Sequence, residues 1–175
     1  MKYYTGNGDK GETDVANHRV KKDDRIIELI GTLDELNSFI GYALSKVSYE
    51  DVKSVLKTIE KRIYSISAEA AGYSDLVKKE NISIEKKDVE EIETATDKFS
   101  EEVKALTKFI YLNGNEAACT MNICRAVARR AERQYIRCKL ENEKVLSYLN
   151  RLSSLLFVLF RVINEREGVR EETFD

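Results

Sequence analysis

The chain has 175 residues, of which 34% are charged, and its formal net charge is −2. This length suits one domain with a substantial core, and the balanced charge gives no bulk attraction to nucleic acid or to a membrane. Residues 1–5 are polar, unlike the start of a signal peptide, and no apolar run approaches the length of a membrane span. We therefore expect a cytoplasmic protein that folds as a single domain over residues 1–175.

The N-terminal segment, residues 1–23, shows no helical period and is rich in turn-forming residues, so it is predicted to be a loop. Gly6, Gly8 and Gly11 permit positive φ angles there, which lets backbone N–H groups converge on an anion. Residues 6–13 match the P-loop pattern GxxxxGK[ST] at every fixed position except one, where Glu12 replaces the phosphate-binding lysine. This departure argues against a P-loop nucleoside triphosphatase. An anion-binding loop and a chance turn both stay open.

Apolar residues at helical spacing predict five helices and no strands. The first helix runs from a cap at Asp23 or Asp24 to about Lys46, and the others cover about 50–72, 85–106, the segment after a cap at Asn115, and 143–167. The segment 73–84 is a connector, and 169–175 is a mobile tail. Proline is absent, which suits long helices. The predicted fold is all-α, an up-and-down five-helix bundle over residues 24–168 with an N-terminal glycine-rich loop.

The cysteines and the histidine argue against disulfides and against metal sites. Cys119, Cys124 and Cys138 are odd in number, lack CxxC spacing and lie in helical patterns, which favours buried thiols over disulfides or zinc ligands. His18, the only histidine, lies in the predicted loop. The Glu-x-x-His pairs of a ferritin-like di-iron site are therefore absent from the sequence.

The fourth helix carries four arginines and one glutamate within residues 125–133. Arg125, Arg129 and Glu132 follow the i, i+4, i+7 spacing onto one stripe, with Arg133 at its edge. Arginine binds carboxylate or phosphate oxygens through two donors at once. The stripe is predicted to face an anion, another subunit or both. The alternative is a solvated face laced with Glu/Arg pairs.

Three separated segments together resemble the PduO-type ATP:cob(I)alamin adenosyltransferases. They are the glycine loop 5–11 with 21–24 behind it, the segment 31–38, and 129–133 followed by 148–153. The match covers nearly the whole chain. The resemblance implies a homotrimer of five-helix bundles that binds ATP between neighbouring subunits. It also implies transfer of the 5′-deoxyadenosyl group of ATP to cob(I)alamin, giving adenosylcobalamin and triphosphate with the assistance of Mg²⁺.

The same resemblance implies roles for individual residues. From one chain, the residues that contact ATP would be Thr5, Gly6, Asn7, Gly8, Thr13 and Lys22. The site would be completed by Arg129, Arg130, Glu132, Arg133 and Asn150. The catalytic residues would be Arg129, Glu132 and Phe109, with Phe109 as the aromatic that keeps the lower axial ligand off cobalt. Asp34 would pair with Arg125 of a neighbour, and the phosphates of ATP would hold most of the Mg²⁺ coordination, with Glu132 as a further candidate ligand. A cobalamin reductase and an adenosylcobalamin-dependent enzyme are the implied partners.

The residues suit this chemistry, since a cobalt nucleophile needs no serine, cysteine or histidine base. What the protein must supply is placement of C5′ against the metal and neutralisation of the negative charge that grows on the departing triphosphate, a role for arginine, lysine, Mg²⁺ and the loop amides. Three features depart from the family pattern: Ser154 replaces an aspartate, Asn113 and Gly114 replace a Pro-Gly-Gly turn, and the 11–22 segment is one residue short. These departures keep open a non-catalytic trimer that binds ATP or a corrinoid as a chaperone or sensor. An interaction bundle with a charged face is a weaker alternative because it leaves the glycine loop unexplained.

Overall fold

The computed structural model describes residues 2–16 and 18–174. Two short strands in that range precede six helices. The strands are β1 (Glu12–Val15) and β2 (His18–Lys21), and the helices are α1 (Arg25–Lys46), α2 (Glu50–Ala70), α3 (Ser74–Lys79), α4 (Lys86–Ser100), α5 (Glu116–Arg137) and α6 (Glu143–Arg166). The prediction of a mainly helical chain is confirmed. The prediction of five helices and no strands is wrong.

The starts of two long helices fall where the sequence predicts them. Asp24 accepts a hydrogen bond from the Ile26 N–H at 2.9 Å, and Asn115 accepts one from the Ala117 N–H at 2.7 Å. Each cap satisfies a first-turn N–H that has no partner within its own helix. The sequence therefore marks these boundaries through a local interaction.

The end of α4 differs from the prediction, since the helix stops at Ser100 rather than near Leu106. Beyond that point the backbone is held from outside, because Arg161 of α6 donates to the Lys104 carbonyl at 2.7 Å. Leu106 is 40% exposed and so adds little apolar burial to favour a longer helix. A tertiary contact thus ends the helix.

The bundle is centred on α5 and α6. α5 packs against α1 and α6, α6 packs also against α4, and α1 packs against α2, so the order across the bundle is α2, α1, α5, α6, α4. α2 and α4 meet through an ion pair between Arg62 and the fully buried Asp88. This order places α5 beside α6, so side chains along the groove between the two helices can meet.

α6 is long and apolar enough to cross a membrane when judged by length and composition alone. In this fold its apolar residues are buried against the neighbouring helices, including Leu149, Leu152, Leu156 and Leu159 at 0% exposure. α6 is therefore the core helix of the bundle.

β1 and β2 form an antiparallel hairpin inside the segment predicted to be a loop. Arg19 fastens it: its guanidinium donates to Glu12 at 2.9 Å, to Asp14 at 3.0 Å and to the Asn7 carbonyl at 2.6 Å. Each strand has four residues with only partly buried side chains, too short and too polar for its alternation to be seen in the sequence. α3 was missed for a similar reason, since its six residues carry one buried anchor, Val77.

The C-terminal segment is docked, which corrects the prediction of a mobile tail. Glu171 accepts two hydrogen bonds from Arg161, at 2.5 and 3.0 Å. The Phe174 N–H donates to the Phe109 carbonyl at 3.0 Å, and its ring stacks on Tyr111 with centroids 4.0 Å apart. The tail thereby holds the loop that carries Phe109.

The three cysteines are free, and only Cys124 is buried, so the prediction of three buried thiols is only partly correct. Cys119 and Cys138 are partly exposed near the ends of α5. Burial raises the pKa of Cys124 to about 12, which keeps it a neutral packing group at physiological pH.

Candidate functional site

The glycine loop folds back on itself before the hairpin. Gly6 and Gly11 have φ angles of 77° and 79°, which only glycine adopts without strain. A Cβ atom at Gly8 would lie 2.9 Å from the Lys22 ammonium nitrogen. Glycine at position 8 therefore lets the Lys22 side chain approach the loop backbone, so the structure brings together two of the predicted ATP-binding residues.

The remaining predicted loop residues are accessible. Thr5, Gly6 and Asn7 are exposed, and the Thr5 hydroxyl accepts a hydrogen bond from the Asn7 N–H at 3.3 Å. Asn7 is also fixed through its carbonyl by Arg19. The sequence predicts no role for Arg19, but in the structure Arg19 holds the glycine loop against the hairpin.

A cleft of about 510 Å³ lies between the hairpin and helices α1 and α2. Thr13 of β1 and Asp34 of α1 both line it. Asp34 is exposed and forms no salt bridge with any residue the structure describes. Thr13 and Asp34 therefore share one cleft, on the side of the bundle formed by α1 and α2.

The arginine stripe of α5 lacks acidic partners. Among residues 2–16 and 18–174, no salt bridge involves Arg125, Arg129 or Arg133. Arg133 donates to the Arg129 carbonyl at 3.0 Å, and both side chains are exposed. With three arginines and one glutamate, the stripe carries a net positive charge, which attracts an anion.

Arg125 is the partly buried member of this stripe. Its Nε donates to Asn122 at 2.7 Å, and its guanidinium lies 5.8 Å from the ring centroid of Phe157. Burial, and then the charge of Arg129, lower the pKa of Arg125. A cation in these surroundings would be stabilised by a carboxylate from outside the chain.

Arg130 points to a different neighbour. It forms a salt bridge with Glu35 of α1, a residue to which the sequence assigned no role. Its Nε atom is buried without a hydrogen-bond partner. Within one chain Arg130 therefore connects α5 to α1, away from the groove where Glu132 lies.

Glu132 and Asn150 meet in the groove between α5 and α6, as the predicted site requires. Asn150 Nδ2 donates to Glu132 Oε1 at 2.8 Å. Arg151 Nη1 donates to Asn150 Oδ1 at 2.7 Å, and Arg151 Nε donates to Glu93 of α4 at 2.8 Å. Arg151 lay inside a recognised sequence run but received no role, and Glu93 gave no sequence signal because only the helix order brings it near.

Phe109 lies on a fixed loop with its ring 87% exposed. The turn after it is held by the buried Asn164, whose side chain accepts from the Asn115 N–H and donates to the Asn113 carbonyl, both at 3.0 Å. Gly114 has a φ of 136°, and a Cβ atom there would collide with Asn164. An Asn-Gly turn clamped by Asn164 thus takes the place of the Pro-Gly-Gly turn, and the aromatic ring faces outward.

One chain presents these elements as separate parts. In the portion that the structure describes, no hydrogen bond or salt bridge joins the glycine loop to Arg129, Arg133 or Asn150. The hairpin lies against α1 and α2, whereas Glu132 and Asn150 lie between α5 and α6. The described residues also contain no group of three or more His, Cys, Asp and Glu side chains that could hold a metal ion.

Comparison with known proteins gives a consistent set of relatives. The family described as cobalamin adenosyltransferase matches residues 3–163. The corrinoid adenosyltransferase of Bacillus subtilis (strain 168) is 36% identical over 100% of this chain and 93% of that protein. The human corrinoid adenosyltransferase is 32% identical over 99% of this chain and 73% of that protein.

The fold is similar to that of a PduO-type ATP:corrinoid adenosyltransferase from Lactobacillus reuteri. A phenylalanine-to-histidine variant of that protein, complexed with cobalamin and ATP, has a TM-score of 0.88 at 28% identity, with 99% of this chain and 96% of that chain covered. An arginine-to-lysine variant complexed with ATP has a TM-score of 0.88 at 28% identity, covering 98% and 99%.

The unpaired arginines predict that anion binding depends on the stripe. Arg129→Ala and Arg133→Ala should each weaken binding of inorganic triphosphate about tenfold, since each removes a charge-assisted contact of about 1.4 kcal/mol. Isothermal titration calorimetry measures the affinity. Arg137→Ala, an exposed arginine in the last turn of α5, removes the same charge and should leave the affinity within about twofold. Equal weakening by all three variants, or by none, would count against this site.

Proposed function

The chain belongs to the cobalamin adenosyltransferase family and is of the PduO type, and from this premise we propose that it transfers the 5′-deoxyadenosyl group of ATP to cob(I)alamin. It is a transferase whose substrates are ATP and a corrinoid. The observation that carries the proposal is that the stripe arginines form no salt bridge within the described residues, while Glu132 on the same stripe is hydrogen-bonded to Asn150. A triphosphate is the kind of anion that such a stripe binds.

In the proposed reaction the Co(I) centre of the substrate attacks C5′ of ATP. A cobalt–carbon bond forms from the electron pair of Co(I), and the bond between C5′ and the α-phosphate oxygen breaks. Triphosphate leaves with that bonding pair. Arg129 and Arg133 neutralise its growing charge from one side, and Lys22 with the loop amides does so from the other. No side chain has to remove a proton in this step.

Glu132 orients an arginine or a hydrated metal ion rather than acting as a base. One of its oxygens already accepts a hydrogen bond from Asn150, which holds the carboxylate in place. Mg²⁺ fits this site only as an ion carried mainly by the phosphates of ATP, since the described residues offer no carboxylate cluster for it. When bound it would add positive charge beside the phosphate oxygens. Glu132 is the candidate protein ligand for that ion.

Phe109 supplies an apolar wall for the corrinoid. Its ring is exposed while its backbone is tied to the C-terminal segment, so a fixed backbone presents the ring at the surface. An aromatic wall below the corrin excludes water and a coordinating base from cobalt, which makes the electron-rich Co(I) state easier to reach.

The proposed assembly is a homotrimer that binds ATP between protomers. Two features support it: the loop and the α5–α6 groove are not joined within one chain, and Asp34 and Arg125 each lack a salt bridge among the described residues. A pair between Asp34 of one protomer and Arg125 of the next would give both charges a partner. The same geometry would bring the glycine loop to a neighbouring arginine stripe.

The chemistry implies two further partners. A cobalamin reductase must deliver the Co(I) state, and an adenosylcobalamin-dependent enzyme must take up the product. We propose that this exchange takes place in the cytoplasm. In the described residues, α6 is the helix that is long and apolar enough to span a membrane, and it is buried in the bundle core instead.

An activity assay tests the proposed reaction. Under strongly reducing conditions the protein should convert cob(I)alamin and ATP into equal amounts of adenosylcobalamin and triphosphate, measured by absorbance and chromatography. Normal ATP binding without either product would instead support the non-catalytic chaperone or sensor. When a cobalamin reductase supplies the one electron that converts cob(II)alamin to cob(I)alamin, Phe109→Ala should slow product formation at least about tenfold, which is about 1.4 kcal/mol of barrier, and leave ATP binding unchanged. Leu112→Ala, on the same loop and 44% exposed, is the control and should retain the rate.

Charge reversal tests the proposed interface. Arg125→Glu and Asp34→Arg should each dissociate the trimer, because a partly buried charge left without its partner costs about 3 to 5 kcal/mol. The double variant should assemble again, since it restores an ion pair in reverse. Asp97→Arg, on the exposed side of α4, should leave the assembly intact. Sedimentation velocity gives the mass, and a trimer of unchanged stability in Arg125→Glu would rule out the pairing.

A further inference from the structure

A line of four hydrogen-bonded side chains crosses three helices beside the arginine stripe. It runs from Glu93 on α4 through Arg151 and Asn150 on α6 to Glu132 on α5. The three contacts measure 2.8, 2.7 and 2.8 Å in that order. The predicted nucleotide groove is therefore linked to α4, the helix on the other side of α6, by direct contacts.

The chemistry of the two neighbours dictates how the Asn150 amide is oriented. A guanidinium only donates hydrogen bonds and a carboxylate only accepts them, while an amide does both. With Arg151 on one side and Glu132 on the other, one orientation satisfies every group: Oδ1 toward Arg151 and Nδ2 toward Glu132. Without Arg151, this preference would rest on Glu132 alone.

Arg151 is itself fixed by Glu93, through a second nitrogen of the same guanidinium. A lysine at this position would present a single flexible ammonium and would lose the rigid fork that binds both partners. The Arg151–Glu93 pair is about half exposed, at 47% and 46%, so it contributes little to stability. Its place in the line of contacts is therefore better explained by orientation than by folding.

We propose that Arg151, held by Glu93, is a positioning residue that sets the Asn150 amide for nucleotide binding. An amide nitrogen carries two N–H groups, and Glu132 occupies one of them here. The other N–H can donate to an oxygen or nitrogen acceptor of the nucleotide. The bond from Asn150 to Glu132 at the same time keeps Glu132 aligned beside the phosphates. This inference rests on the proposed function, because it takes the groove between α5 and α6 as part of the ATP site.

A double-mutant cycle on the full chain tests the proposal, with ATP affinity measured by calorimetry. Arg151→Leu should weaken ATP binding about tenfold and leave the KM for the corrinoid within about twofold. In an Asn150→Ala background the same substitution should change ATP affinity less than about twofold, since the amide it orients is gone. A full tenfold loss in that background would show that Arg151 acts on ATP or the fold directly, and would overturn the proposal.

Two control variants separate orientation from charge and from stability. Lys144→Leu removes an ion pair between α6 and Glu85, the N-cap residue of α4, at the matching exposure of 48% for each partner, and should leave ATP affinity unchanged. Arg151→Lys keeps the charge but not the fork, so it should bind ATP about as weakly as Arg151→Leu. Wild-type affinity in Arg151→Lys, or an equal loss in Lys144→Leu, would contradict the proposal.

The outcome for the proposed function is distinguishable from the outcome for this inference. If the wild-type chain binds ATP but makes no adenosylcobalamin, the proposed reaction is refuted. If the variants then still show the coupling between Arg151 and Asn150 in ATP affinity, the positioning role is supported. An active wild-type chain with additive losses at Arg151 and Asn150 would refute the positioning role alone. Melting temperatures recorded by circular dichroism show that each variant is folded.

Discussion

Positive charge without an internal partner is the constraint on which the site depends. Arg125, Arg129 and Arg133 lie along one stripe of α5, and in the described part of the chain no carboxylate pairs with any of them. Like charges at this spacing repel, and the lowered pKa of Arg125 reflects its burial together with the charge of Arg129. Such a surface is stabilised when an anion or another protomer covers it, which is what a triphosphate and a neighbouring Asp34 would do.

The rest of the fold holds functional segments in place from a distance. Arg19 ties the glycine loop to the hairpin, and Asn164 holds the turn that follows Phe109. The backbone of Phe174 is hydrogen-bonded to the loop that carries Phe109. In each case the supporting residue lies outside the predicted site. Positioning by remote contacts suits catalysis by orientation and charge neutralisation, because the proposed reaction requires no proton transfer from the protein.

The sequence predicts the parts of this structure that local chemistry determines. Helical spacing places Arg125, Arg129 and Glu132 on one stripe, and the caps at Asp24 and Asn115 mark two helix starts. The hairpin, α3, the early end of α4 and the docked tail were not predictable from pattern. They depend on short polar segments or on contacts between residues far apart in the chain, such as the bond from Arg161 to Lys104.

The same division applies to the site. The resemblance assigns Glu132 and Asn150 to one site, and the structure joins them by a hydrogen bond. The partnerships of Arg130 with Glu35 and of Arg151 with Glu93 have no sequence signal, since each joins different helices whose order is known only in the folded chain. Residue types therefore point to the chemistry, and the helix order identifies which residues support it.

Subunit mixing tests most directly whether two protomers build one site. Lys22→Ala damages the loop half and Arg129→Ala damages the groove half, so each variant alone should lose most of its adenosyl transfer. If the halves of one site come from different protomers, mixed assemblies of the two variants contain some sites with both intact halves, and activity returns. Mixed assemblies that stay as inactive as the separate variants would show that each chain builds its own site.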